Sequence, residues 1–283
     1  MTIDESNRIP RAGRLAAAAL LALGLAGTVA AQEKKAPAPT PAPAPAAAEA
    51  DADRVVEPEA AALLKAAWDW LGAQESYAFH ADVEYDEVYG EETRVRVGGR
   101  VDALVRRPDR FKVFFDGDRG QKNYFYDGKS FTLVDLRSKT WAAAPVSGTN
   151  DAAVETIVEK LGVPLPLSDF LVTGAAYGAD ELRAAYVVGQ SRVGGKRCHQ
   201  VLVLLDDLDF QLWIEADGNP VIRKLVLVYR EAPGQPQFEA NFTEWYPSTR
   251  LSDYVFTFLP DDSFRKVELA APVAEPAGAP EKE

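Results

Sequence analysis

The chain has 283 residues with 43 acidic and 31 basic side chains, and its formal net charge is −12 at pH 7. This charge disfavours nucleic acid and anionic membrane surfaces as partners, because both are themselves negative. The single cysteine, Cys198, excludes an internal disulfide and is expected to be a buried, inert thiol.

Residues 1–31 have the three-part organisation of a secretory signal peptide. Three arginines between positions 8 and 14 form a basic start, and an uncharged run of Ala, Leu and Gly follows them. Small residues up to Ala31 fit a signal peptidase site with cleavage before Gln32. The apolar run is shorter than the roughly 20 residues that a membrane-spanning helix needs, which favours a cleaved signal over a retained anchor.

The rest of the chain divides into three parts by composition. Residues 32–53 are rich in Ala and Pro and predict an extended, disordered linker, and residues 271–283 predict a tail of the same kind. Residues 54–270 lie between them and are enough for one domain with a substantial core.

A helix is predicted at the start of this domain, from Glu57 to Gln74. Pro58 suits its first turn, and Leu64, Trp68 and Leu71 recur at helical spacing. These apolar side chains predict that the helix packs on another layer.

A long hairpin follows the helix. Residues 77–89 alternate between apolar and polar side chains, as in a strand with one wet face. A turn at residues 90–92 leads to a second strand, in which Arg94, Arg96 and Arg100 are expected to lie opposite the acidic face of the first.

Strand patterns then continue to the end of the domain, with a helical interlude in the middle. The interlude is a helix at 152–161 and a short apolar turn or helix at 165–171. The further strands are predicted near residues 111–115, 124–126, 131–133, 186–188, 199–205, 210–215, 221–229, 238–245 and 255–258. Short strands joined by tight turns predict a curved antiparallel sheet, with the helices on its concave face.

Catalytic and metal-binding patterns are weak in this sequence. His80 lies on the polar face of its strand, and His199 and Cys198 point to opposite faces of another, so a shared metal or nucleophile site is disfavoured. The acidic run 206–209 is better explained as a hairpin turn than as a calcium loop. We therefore predict a protein that is not an enzyme and has no cofactor, catalytic residue or metal.

The candidate ligand site is the apolar inner face of the sheet and the segment over it. The predicted cavity residues are Phe79, Val83, Tyr85, Val95, Val97, Phe111, Val113, Phe115, Leu212 and Ile214. The predicted lid residues are Leu165, Leu167, Phe170 and Leu171. The same residue types form both closed cores and ligand pockets, so the sequence supports a sealed interior and an apolar cavity equally.

Several stretches resemble an uncharacterised family of predicted periplasmic proteins within the LolA/LolB-like superfamily. They are Val-Arg-Arg-Pro-Asp-Arg at 105–110, Phe-Tyr-Asp-Gly-Lys at 125–129, Leu-Pro-Leu-Ser-Asp at 165–169, and parts of 212–229. The resemblance spans about residues 57–264. It implies an α+β fold in which the curved antiparallel sheet forms an unclosed half β-barrel with helices over the concave side. It also implies a periplasmic location, and relatives that carry or sense lipids and acylated lipoproteins.

Two functional hypotheses follow from the sequence. The first is a periplasmic, non-catalytic binding protein that holds a lipid, an acyl chain or a lipoprotein between sheet and lid. The second is an envelope sensor or protein-interaction module with a fully packed interior. The expected partners are a lipid or acylated protein, or an envelope protein, and the protein is expected to be a monomer.

Overall fold

The computed structural model of the chain describes residues 54–90, 93–174, 177 and 181–269. The predicted signal peptide, linker and tail, residues 1–31, 32–53 and 271–283, lie outside the described residues. None of the described helices is long and apolar enough to cross a membrane.

Strands dominate the described chain, with two α-helices, α1 (Pro58–Gly72) and α2 (Asn150–Glu155), and short helical turns. The strands are β1 (Val55–Val56), β2 (Ser76–Tyr89), β3 (Thr93–Arg106), β4 (Arg110–Gly117), β5 (Gly120–Tyr126), β6 (Ser130–Asp135), β7 (Thr140–Pro145), β8 (Ala184–Val193), β9 (Lys196–Leu204), β10 (Leu208–Glu215), β11 (Ile222–Tyr229), β12 (Gln237–Pro247) and β13 (Arg265–Lys266). A π-helical turn, Thr156–Lys160, extends α2, and 3-10 turns lie at Ser168–Phe170 and Asp253–Phe256.

All strands belong to one sheet made of two antiparallel meanders. Strands β2 to β7 form one meander and β8 to β12 the other, and β12 pairs antiparallel with β2 to join them. The two-residue strands β1 and β13 pair in parallel with β8 and β7 at the two outer edges. Among the described residues no pairing joins these edges to each other, so the sheet is an open half-barrel, and the predicted fold class is confirmed.

The concave face of the sheet carries the main core. In β4, for example, Phe111, Val113 and Phe115 are buried, as a period of two requires. Helix α1 lies on this face and contributes Leu64 and Trp68 to the same apolar cluster. The predicted helix is therefore confirmed, with Pro58 at its first position.

The β2–β3 hairpin has the predicted register. Asp86 lies opposite Arg96 and Asp82 opposite Arg100. The Arg96 Nε donates to Asp86 Oδ1 at 2.7 Å, while Arg100 donates to Asp102 of its own strand. The charges thus pair locally, as predicted, although Asp86 itself is buried and not solvated.

The predicted strand at residues 255–258 is wrong. Asp253–Phe256 is a 3-10 turn within a segment, residues 249–269, that leaves β12 and runs over the convex face to the far edge of the sheet. We call this segment the strap. Phe256 of the strap is buried against the sheet, although it pairs with no strand there. The apolar residues of the strap therefore have the pattern of a strand because they pack on the sheet, not because they belong to it.

Candidate functional site

Nine of the ten predicted cavity residues lie buried in the apolar cluster on the concave side of the sheet. Val95 departs from this expectation, because its side chain is 40% exposed. It lies near the tip of the β2–β3 hairpin, beyond Gly99, where β4 begins to pair with β3. Val97, two residues further from the tip, is buried, so the exposure begins between these two residues.

The four predicted lid residues also lie in this cluster, on a segment of irregular backbone that we call the lid, residues 163–173. Leu167 has a left-handed backbone with φ of 53°, which costs a bulky side chain about 1–2 kcal/mol. A 3-10 turn, Ser168–Phe170, follows it. The lid thus covers the sheet without forming a regular helix.

Phe170 is the centre of the contact between lid and sheet. Its ring centroid lies 4.6 Å from that of Phe242, 5.5 Å from Trp68, 6.1 Å from Phe79 and 6.2 Å from Trp245. Helix α1 and strands β2 and β12 therefore supply an aromatic cage, which we define by these four rings, and the lid supplies the ring that fills it.

Two side chains hold the lid by its backbone. The Tyr77 hydroxyl donates to the Phe170 carbonyl at 2.5 Å, and the Arg107 Nη2 donates to the Val172 carbonyl at 2.6 Å. Arg107 also donates to the Tyr77 hydroxyl at 3.2 Å, with its guanidinium 5.2 Å from the centre of the Tyr77 ring. The two anchors thus support each other.

A third side chain, that of Asp151, also binds the backbone of the lid. The backbone N–H of Thr173 donates to the Asp151 carboxylate at 3.2 and 3.3 Å. Burial raises the pKa of the Tyr77 hydroxyl well above its ordinary value, so it stays neutral and remains a donor. The lid is therefore held by bonds from side chains to its backbone, and no strand pairing involves it among the described residues.

Three polar atoms at or near the lid are buried without a hydrogen-bond partner in the described part of the chain. They are the Ser168 Oγ, on the lid itself, the Asn150 Oδ1, at the start of α2, and the Arg107 Nε. A buried polar group left unsatisfied costs about 1–3 kcal/mol. Together with the backbone at Leu167, these atoms offset part of the stability that the apolar packing of this region provides.

A small pocket opens at the rim of the half-barrel, next to the aromatic cage. Its volume is about 170 Å³, and Trp70, Trp245, Glu215 and Arg223 are among the residues that line it. We call it the rim pocket. These residues are far apart in sequence, and periodicity had singled out none of them as a site residue.

Other chemistry is sparse. No cluster of three or more His, Cys, Asp and Glu side chains that could hold a metal occurs in the part of the chain that the structure describes. His80 pairs with Asp102 at 2.5 Å on the outer face. Cys198 is buried, and burial raises the pKa of its thiol, which keeps it protonated and inert.

The fold and its contacts define a class of protein, an open antiparallel half-barrel with an anchored lid on its apolar face. The sequence matches the family of predicted periplasmic proteins DUF2092 over residues 60–270, and the chain belongs to that family. The family predicted from sequence motifs is therefore confirmed. No match was found among curated proteins.

Solved structures of similar shape include three from different bacteria. An uncharacterised conserved protein from Thermus thermophilus is 12% identical with a TM-score of 0.43, over 74% of this chain and 99% of that one. The lipoprotein LppX of Mycobacterium tuberculosis is 12% identical with a TM-score of 0.42, over 69% and 100%. A LolA superfamily protein from Nitrosomonas europaea is 8% identical with a TM-score of 0.34, over 70% and 97%. With TM-scores below 0.5, these likenesses carry no argument about function.

Proposed function

We propose that this protein is a periplasmic, non-catalytic binding protein that holds a hydrophobic ligand between the sheet and the lid. The ligand is a lipid, an acyl chain or the acyl group of a lipoprotein. The observation that carries the proposal is the position of Phe170. One ring from an irregular, side-chain-anchored segment fills an aromatic cage built by regular elements.

Burial of apolar surface would supply the affinity. Each methylene removed from water contributes about 0.8 kcal/mol, so a long acyl chain needs no polar contact along its length. When the lid withdraws, the cage rings Phe79, Phe242 and Trp245 would lose their contacts with Phe170. An acyl chain that replaces this ring restores those contacts. Lid movement breaks a few hydrogen bonds and leaves the ladder of the sheet intact.

Location and domain boundaries belong to the same proposal. The signal peptide of residues 1–31 is cleaved, residues 32–53 are an Ala/Pro-rich linker, residues 54–270 are the binding domain and residues 271–283 a tail. Membership of a family described as predicted periplasmic supports export. The domain works as a monomer, without cofactor or catalytic residue.

One feature favours the second candidate, an envelope sensor or interaction module with a packed interior. Strand β8 is paired with β1 only at Ala184 and Ala185, and the Val187 N–H on the same edge donates to the Glu57 carboxylate at 2.8 Å. Beyond Val187 no strand pairs with this edge in the described chain. Val188, on this edge, is 55% exposed. An extended segment of a partner protein could add to such an edge as a further strand.

The deciding experiment uses protein purified from the cell envelope without detergent. Native mass spectrometry and solvent extraction with lipid analysis are expected to find a bound lipid, and the delipidated protein is expected to take up a fluorescent fatty acid. If no lipid co-purifies and no fatty acid enters the folded protein, the binding function is refuted and the packed interaction module becomes the better explanation.

A further inference from the structure

The rim pocket combines two aromatic walls with a buried ion pair. The rings of Trp70 and Trp245 meet at 79° with centroids 5.9 Å apart. Arg223 donates through Nε to Glu215 Oε2 at 2.8 Å, and its Nη2 lies 2.6 Å from the same oxygen. The Glu215 side chain is 8% exposed and that of Arg223 16% exposed, so both charges are held away from bulk water.

Positive charge is in excess around the Glu215 carboxylate, although the whole chain carries −12. Lys196 lies 3.3 Å from the second oxygen of Glu215, so two cations share one carboxylate. Nearby, a hydrogen bond from Arg197 lowers the pKa of Asp217, and the charges of Arg192 and Lys196 add to this effect. Four cations thus surround two carboxylates: Arg192, Lys196, Arg197 and Arg223 against Glu215 and Asp217.

The Arg223 guanidinium has N–H donors that Glu215 does not engage. An arginine offers five N–H donors, and the contacts with Glu215 engage Nε and Nη2. No hydrogen bond from Nη1 is found among the described residues. A partly buried guanidinium with spare donors, in a local excess of positive charge, is suited to a carboxylate or a phosphate.

Trp245 connects the rim pocket to the aromatic cage. Its indole N–H donates to the Ile222 carbonyl at 3.0 Å, which fixes the ring. The same ring lies 5.0 Å from Phe79 and 5.2 Å from Phe242 between centroids. Trp245 therefore lines the rim pocket and is also one of the rings of the cage that Phe170 fills.

We infer that the rim pocket binds the anionic head group, a carboxylate or a phosphate, of an amphiphile whose chain lies under the lid. This inference rests on the proposed function and specifies the ligand. Trp245 marks the boundary between head and chain. A free anion has the same chemistry, but it gains nothing from the apolar space beyond Trp245, so its affinity is expected to be much lower.

The test compares four compounds by their displacement of the neutral fluorescent probe N-phenyl-1-naphthylamine from delipidated full-length protein. The compounds are hexadecanoate, hexadecyl phosphate, hexadecanol and inorganic phosphate. Both anionic amphiphiles are expected to bind about tenfold more tightly than hexadecanol, because a charged hydrogen bond outweighs a neutral one. Inorganic phosphate is expected to displace no probe.

Variants of the rim pocket test whether it causes the preference for anionic amphiphiles over hexadecanol. R223Q is expected to abolish the tenfold preference while hexadecanol binds as before. R223Q leaves the buried Glu215 carboxylate with one cation fewer, which could prevent folding. The double variant E215Q/R223Q removes both charges together, so it tests the same prediction if R223Q misfolds. K224Q is the matched control: Lys224 is the next residue of β11, but it pairs with Glu239 on the outer face at 2.7 Å. The preference is expected to survive in K224Q.

A bromine label locates the head group independently. In 2-bromohexadecanoate the bromine lies beside the carboxylate, and in 16-bromohexadecanoate it lies at the far end of the chain. Each compound quenches tryptophan fluorescence. The W70F substitution is expected to reduce the quenching by 2-bromohexadecanoate more than the quenching by 16-bromohexadecanoate. Equal affinity for hexadecanoate and hexadecanol, or a preference that survives in E215Q/R223Q, would overturn the inference and leave the proposed function standing. Binding of inorganic phosphate alone would reveal a small-anion site and overturn it too. If no compound with a chain binds, the proposed function itself fails.

Discussion

The lid and the strap cover opposite faces of the same sheet and are attached in different ways. The strap places Phe258 against Phe125 and Trp141 on the convex face, with ring centroids 5.8 and 6.0 Å apart. It then joins the sheet as β13, where Arg265 N–H donates to the Lys139 carbonyl at 2.9 Å and continues a ladder. The lid has comparable apolar contacts but no such ladder. The strap therefore extends the sheet, whereas no strand pairing attaches the lid among the described residues.

Two adjacent arginines at the end of β3 bind the two segments, one arginine to each. Arg106 donates to the Leu251 carbonyl at 2.7 Å and pairs with Asp253, which holds the strap. Arg107 holds the lid through the Val172 carbonyl. Successive residues of an extended chain point to opposite faces, so one dipeptide serves both covers. It also provides a matched pair of variants.

The largest expected effect comes from the buried ring of each cover. F170A and F256A are each expected to lower the free energy of unfolding by about 3–5 kcal/mol, because both remove a buried phenyl ring. Only F170A empties the aromatic cage. It is therefore expected to raise the affinity for a fluorescent fatty acid on the order of tenfold, since the ligand no longer has to displace a ring. Chemical denaturation and fluorescence titration measure the two effects.

F256A serves as the control for that measurement. Its loss of stability matches that of F170A, but its apolar gap lies on the convex face, away from the cage. If both variants gain affinity equally, general loosening explains the uptake and the distinction between lid and strap is lost.

The arginine pair gives the next largest effect. R107Q is expected to weaken the closed lid by about 1–3 kcal/mol, the cost of losing a charged hydrogen bond to a buried carbonyl. Hydrogen exchange is expected to accelerate at residues 170–173, together with faster fatty acid uptake. R106Q is expected to accelerate exchange at residues 251–257 and to leave the rate of uptake unchanged. Faster uptake in R106Q, or unchanged exchange of the lid in R107Q, would contradict the assignment of the two anchors.

The sequence predicts the sheet well because its signals are local. The period of two in β2 and β3, the opposed charges of Asp86 and Arg96 and the tight turns are all visible within a few residues. The helical spacing of α1 is visible in the same way. The strap imitates such a signal. Phe256 and Phe258 alternate as in a strand, but they pack across the outer face, and only the full fold distinguishes these arrangements.

The candidate site is predictable only in its apolar part. Phe79 and Phe170 follow from strand parity and from the apolar lid sequence. The rings that complete the cage and the pairing of Glu215 with Arg223 depend on which strands become neighbours. That order is set by contacts between distant parts of the chain, such as β12 with β2. The exposed Val95 shows the same limit, since its strand parity is as expected and its exposure depends on its place near the tip of the hairpin.

The smallest expected effect is a dependence on pH that belongs to the strap alone. A hydrogen bond from Arg106, with the charges of Arg110 and Arg106, holds the pKa of the Asp253 carboxyl below its ordinary value. A carboxyl whose pKa is lowered by folding stabilises the protein above its unfolded pKa of about 3.9 and loses this contribution as pH falls through the lower folded value. The strap is therefore expected to loosen on acidification from pH 5 towards pH 2.

This dependence is measured as the difference in melting temperature between D253N and the unmodified protein at a series of pH values. Other carboxyl groups titrate in both proteins, so their effects cancel and the difference reports Asp253. D253N is expected to melt lower at pH 7, by a small margin because Asp253 is exposed, and the gap is expected to close as the pH falls below 4. A gap of equal size at pH 7 and pH 2 would mean that the ion pair with Arg106 does not hold the strap. The Leu251 carbonyl, the packing of Phe256 and Phe258 and the β13 ladder would then hold it.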